Sequence, residues 1–143
     1  MLTGHLALVG AALFTGAAFY VGFAEQPARL ILDDRALLEQ WKPSYKRGYT
    51  MQGMLAVLGF LLGAAAWWQT GHPLWLAGGL SMLANWPYTL FVIMPVNGRL
   101  MATPPEKAGP ETRKLIEQWA RLHAVRTALG ALATLVFLWA ATT

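Results

Sequence analysis

The residues best suited to chemistry in this chain are His123 and Arg126, three apart, with Trp119 four positions before the histidine. Positions three and four apart share one face of a helix, so these side chains can line one wall of a pocket. An imidazole titrates near neutrality and can take a proton, and a guanidinium offers fixed positive charge to a developing oxyanion. Glu25 can orient or polarise the imidazole if its helix is a neighbour, and Gln52 and Asn97 would meet the same space. Simpler readings stand beside each of these. Arg126 can snorkel and anchor its helix, Gln52 and Asn97 can satisfy helix ends, Glu25 can pair with Arg126 or Arg29, and His123 can be a plain buried histidine.

A second group is Asn85-Trp86-Pro87-Tyr88-Thr89. Pro87 has no amide proton and frees the carbonyl of Leu83; Pro95 does the same for Phe91, just before Asn97. Such breaks can open a cavity lined by Asn85, Trp86 and Thr89, or can be kinks that neighbouring helices stabilise.

Elements that would bring these groups together can be read from hydropathy. The 143 residues are 56% hydrophobic and 13% charged, which favours a single integral membrane domain. Four stretches are long enough to cross a hydrocarbon core: Leu6 to Ala24, Met51 to Gln69, Leu74 to Val96, and Ala124 to Ala141. The first lacks a basic leader and is expected to be retained rather than cleaved as a signal. An all-α, antiparallel four-helix transmembrane bundle follows. It sets the end of the first span, the start of the second, the end of the third and the start of the fourth at one level. There lie Glu25, Gln52, Asn97, His123 and Arg126.

Charge gives the orientation. All 11 Lys and Arg fall in the loops after spans one and three or at the edges of those loops. The turn from Thr70 to Pro73 and both termini carry no charged side chain. The positive-inside rule places both charged loops in the cytoplasm and both termini outside, with a bacterial plasma membrane as the expected location. Of the 7 tryptophans, Trp67, Trp68, Trp75 and Trp139 fall at outer helix ends and suit a headgroup belt. Ala12 with Gly16, Ala18 with Gly22, and Gly59 with Gly63 offer small faces for contacts within the bundle.

In the first charged loop, Asp33 or Asp34 can cap a short interfacial helix with Leu37, Leu38 and Trp41 on one face. After Pro104-Pro105 and Gly109-Pro110, a long fourth helix is expected from about Glu111 to Ala141, extending into the cytoplasm. Its first turns would be supported by Arg113 with Glu117 and Glu117 with Arg121.

Several classes are excluded or disfavoured. Cysteine is absent, so disulfides and thiolate chemistry are out. His5 and His72 lie at the opposite end from His123 and are the one pair that could share a level, so no metal site or cofactor is expected, with haem or a metal as the disfavoured alternative. The net charge of +4 is explained by topology and anionic lipid, with no nucleic-acid partner expected. No phosphate-binding glycine loop or serine triad signature occurs. The oligomeric state stays open.

Four pieces of sequence together resemble the small four-span family catalogued as domain of unknown function 1772, whose characterised branch is the anthrone oxygenases. They are Glu25-Gln26-Pro27-Ala28-Arg29; Trp41-x-x-x-Tyr45-x-Arg47-Gly48; Pro87-x-Thr89 leading to Pro95-x-Asn97-x-x-Leu100; and Trp119-x-x-Leu122-His123-x-x-Arg126. The resemblance implies oxidation of a flat phenolic or quinone-like substrate by dioxygen. His123 would take the proton, Arg126 with Asn97 would stabilise the oxyanion, and Trp119, Trp86 and Tyr45 would stack on the rings. Asn85, Thr89, Gln52, Arg29 and Arg47 complete the expected substrate contacts. Two alternatives remain: a non-catalytic membrane protein that binds a quinone or lipid, and a structural or assembly subunit.

Overall fold

A computed structural model describes residues 1–143, all helical apart from short connections. Four helices are long and apolar enough to cross a membrane: α1 (Leu2–Arg29), α2 (Asp34–Thr70), α3 (Pro73–Ala102) and α4 (Pro110–Thr142). They form a ring in which α1 lies against α2 and α4, and α3 against α2 and α4. Side-chain bonds at each end fix the antiparallel sense. Thr3 near the start of α1 donates to Gln69 near the end of α2 at 2.7 Å, and His72 meets Thr143 at 3.1 Å. At the other end, Gln26 donates to the Ile116 carbonyl at 3.3 Å and Gln40 to Glu25 at 3.1 Å.

The connections are short because each is chemically terminated. Gly71 closes α2 in the left-handed region (φ 71°), where a side chain would be strained, and its N–H donates to the Trp67 carbonyl. His72 then accepts from the Leu74 amide to open α3, with Pro73 in the first turn. Lys42 donates to the carbonyls of Met101 (3.2 Å) and Thr103 (2.6 Å), satisfying the exposed end of α3.

Asp33 caps α2 by accepting from the Ala36 amide at 2.9 Å, as its type suggests. The expected short interfacial helix, however, is not a separate element; it forms the first turns of the 37-residue α2. Leu37, Leu38 and Trp41 are wholly buried against Leu115, Ile116 and Trp119 of α4 and Leu100 of α3, and that burial holds the segment in line with the span. The long α4 matches its expected extent, but its first turns are supported differently. Arg113 turns away from Glu117 to pair with Asp34 and to donate to the carbonyls of Leu30 and Leu32, fastening the loop between α1 and α2.

Two apolar clusters fill the bundle. Toward the uncharged end, Ala7, Ala11, Phe14, Ala56, Ala66, Met82 and Phe137 pack with glycines. A Cβ on Gly63 would sit 2.8 Å from the Trp75 carbonyl oxygen, and one on Gly78 would sit 2.5 Å from the Phe137 ring. Of the small-residue pairs, Gly59 and Gly63 therefore mediate helix contact. Ala12 and Gly16 instead face outward, lining a shallow surface groove. Trp68 and Trp139 are exposed at the rim of the uncharged end, while Trp75 departs from the expected belt: it is buried against Phe137, ring centroids 5.9 Å apart.

Candidate functional site

Between the two apolar clusters lies a polar layer. Along α2, Gln52 falls between Trp41 of one cluster and Ala56 of the other. On α3, Asn85 and Thr89 fall between Met82 and Ile93; on α4, His123 and Arg126 fall between Trp119 and Ala133. Three of the four helices thus carry buried polar residues at one depth, away from both ends, while those of α1, Gln26 and Arg29, lie at its end.

Backbone irregularities accompany the buried polar residues of α1 and α3. A π-helical turn spans Thr89–Ile93, between Pro87 and Pro95, and turns both Thr89 and Ile93 to the interior. A second π-helical turn, Val21–Glu25, precedes Gln26 and Arg29, which are both buried. Each π turn inserts one residue, which rotates the following face by about 100°.

Arg126 is 7% exposed and takes no part in the ion pairs, which fall to Arg29, Arg35, Arg99 and Arg113. Its guanidinium lies over the Phe14 ring at 5.6 Å, and its Nε has no partner. It lines a small cavity of about 10 Å³ together with Tyr49, Gly53, Ala56, Asn85, Trp86 and Thr89. Asn85 Oδ1 and Thr89 Oγ1 are also buried without a partner, as is Gln52 Oε1 elsewhere in the layer. Buried polar atoms are nearly always satisfied, so a concentration of unsatisfied ones beside an unpaired cation points to a place for a polar ligand or water.

His123 lies one turn before Arg126, buried and stacked on Trp119 at 4.9 Å. Its Nε2 faces the Ala18 carbonyl at 3.3 Å. A carbonyl can only accept, so this contact uses an Nε2–H and leaves the lone pair of a neutral ring on Nδ1, which has no partner. The ring also borders a groove between α1 and α4 lined by Phe19, Gly22 and Phe23, and is not part of the Arg126 cavity wall.

Glu25 is committed elsewhere. It pairs with Arg29 at 2.9 Å and accepts from Ser44 and Gln40, so its partner is Arg29 and not Arg126. Arg29 in turn covers the Trp119 ring at 5.7 Å. Asn97 is buried with both side-chain ends unpartnered, one layer closer to the charged end. Tyr45 stacks on Trp41 at 4.8 Å, and Arg47 is exposed on α2 with no ion pair. The geometry therefore joins Arg126, Asn85, Trp86 and Thr89 in one space, and sets Trp119, His123, Arg29 and Glu25 in an adjoining chain of contacts.

Sequence reasoning missed Tyr49, Gly53 and Phe14. Tyr49 was detectable: Trp41, Tyr45, Tyr49 and Gly53 recur at intervals of four, a stripe on one face of α2. No three His, Asp or Glu side chains gather where they could hold a metal ion.

A family model described as anthrone oxygenase matches residues 41–136. The match covers most of α2, all of α3 and most of α4, including three of the four resembling pieces, while Glu25 to Arg29 and the rest of α1 lie outside it. No curated protein and no solved structure matches the chain.

Proposed function

The chain belongs to the anthrone oxygenase family, and from that premise we propose that it oxidises a flat, apolar phenolic substrate with dioxygen inside the membrane. The observation that carries the reading is Arg126, a buried cation with no counter-ion, facing a cavity beside Asn85 and Thr89. An isolated charge within a membrane protein is expensive to bury, and it is tolerated where function uses it. An oxyanion formed during reaction would supply the missing counter-charge.

The reaction balances without a further reductant. A substrate that spans from the Arg126 cavity to His123, one turn away on α4, loses a proton from its methylene carbon to Nδ1, leaving a delocalised anion whose oxygen faces Arg126. That anion gives electrons to dioxygen, and carbon–oxygen bond formation with uptake of the proton yields a hydroperoxide. Loss of water then leaves a ketone, so one dioxygen and one methylene become one carbonyl and one water. In this reading, Trp119 orients the imidazole and the Thr89 hydroxyl donates to the oxyanion, with Asn97 outside the cavity. No metal or haem is invoked.

Turnover of anthrone to anthraquinone in lipid nanodiscs, followed by absorbance and oxygen uptake with a chelator present, tests this directly. Removal of the base in His123→Ala is expected to lower kcat by about 10²-fold or more. Arg126→Gln should lower it by about 10²-fold as well. Undiminished turnover in His123→Ala would remove the histidine from the mechanism.

A further inference from the structure

A cavity of about 10 Å³ has room for roughly one water and none for a ring system. The same wall that closes it also forms the floor of a much larger space. Tyr49, Gly53 and Trp86 line both the Arg126 cavity and an open groove of about 500 Å³ between α2 and α3, whose other residues are Thr50, Met54, Val57 and Leu58. Met54, Val57 and Leu58 are exposed on the outer surface of the bundle, at span depth, so this groove opens toward lipid.

We propose that this groove is the binding site and lateral route for a flat apolar molecule bearing one anionic oxygen, which comes from the bilayer and reaches Arg126 past a movable wall of Trp86 and Tyr49. The inference deepens the reading given above and rests on it for the role of Arg126.

Three observations select this route. First, both ends of the bundle are sealed: Leu37, Leu38, Trp41 and Leu100 fill the charged end and Phe14 and Phe137 the other, all essentially buried. Second, the grooves between α1 and α2 and between α1 and α4 share no residue with the Arg126 cavity. Third, the separating wall is lightly held. The Trp86 indole N–H donates to the Gly53 carbonyl at 3.2 Å, and its ring meets Tyr49 edge-on, with centroids 6.4 Å apart. Trp86 is only partly buried and packs at the edge of the apolar cluster without being one of its buried members, so swinging it outward breaks one hydrogen bond and its edge contacts.

In the entry complex the charged oxygen meets Arg126 and the Thr89 hydroxyl, which can donate to it, while the rings lie against Met54, Val57 and Leu58; proton transfer to His123 follows when the rings move on into the polar layer. Methionine suits such a surface because its unbranched thioether adapts to different shapes. The division also sets specificity. A neutral polycycle would gain only the groove, and a small hydrophilic anion only the cavity.

The test uses the whole protein in nanodiscs with 9-anthracenecarboxylate as a fluorescent probe and stopped-flow mixing. Val57→Trp fills the groove at a lipid-facing position remote from Arg126, and should slow association by about tenfold while the variant melts like the parent. Trp86→Phe removes the hydrogen bond to Gly53 and should speed association. Arg126→Gln should weaken binding on the order of a hundredfold. If Arg126→Gln weakens binding but Val57→Trp and Trp86→Phe both associate at the parent rate, the route is wrong and the anion site stands. Binding as tight in Arg126→Gln as in the parent would overturn the role of Arg126, and the route with it.

Discussion

At the scale of single residues, Arg126 and Arg29 make the most informative contrast. Both are buried arginines at the charged side of the bundle, yet Arg29 has Glu25 and Ser44 while Arg126 has neither carboxylate nor hydroxyl. A paired charge can be structural; an unpaired one destabilises the fold unless something else balances it. Replacing it with an apolar residue of similar length should therefore help folding and harm function. Arg126→Met is expected to raise stability by about 1–3 kcal/mol, seen as a higher melting temperature in detergent, while turnover is lost. Arg29→Met should do the reverse at the level of folding, since it strands Glu25 beside Ser44 and Gln40. A lower melting temperature in Arg126→Met would mean that the guanidinium contributes to packing over Phe14 more than its isolation costs.

Individual helices reveal which features could be read from sequence. The four spans were legible because about 20 apolar residues in a row have few other uses. His123, Arg126 and Trp119 were legible as neighbours, since they lie on one uninterrupted helix. The sharing of one cavity by Arg126, Asn85, Trp86 and Thr89 was only partly legible. Hydropathy gives depth but not rotation, and the π turn at Thr89–Ile93 shifts the phase of α3 in a way that no regular period foretells. The small-residue pairs failed for a related reason: Gly59 and Gly63 look no different in sequence from Ala12 and Gly16, but only the former face a neighbouring helix. Alanine substitution separates them. Gly63→Ala would drive a Cβ to 2.8 Å from the Trp75 carbonyl oxygen and should destabilise by about 1–3 kcal/mol. Gly16→Ala meets nothing within 4 Å and should be neutral or stabilising by up to about 1 kcal/mol. Equal melting temperatures for the two variants would contradict this account of the bundle interior.

For the molecule as a whole, the ring of four antiparallel helices gathers every Lys and Arg in one half of the bundle, and the absence of cysteine makes a single introduced thiol unambiguous. Thiols at Ile31 and at Ala108 should react with a membrane-impermeant reagent from the same side of sealed vesicles, and a thiol at the exposed Thr70 from the opposite side. Labelling of Ile31 and Ala108 from different sides would be incompatible with the antiparallel bundle. The groove between α2 and α3 carries one more consequence for how such a protein must be assayed. Because it opens sideways into acyl chains, its occupancy follows the mole fraction of ligand among lipids and not the amount dissolved in buffer. Adding empty bilayer at fixed protein and fixed total ligand should lower the apparent affinity in proportion, a surface-dilution behaviour that a water-facing cleft would show only through depletion of free ligand.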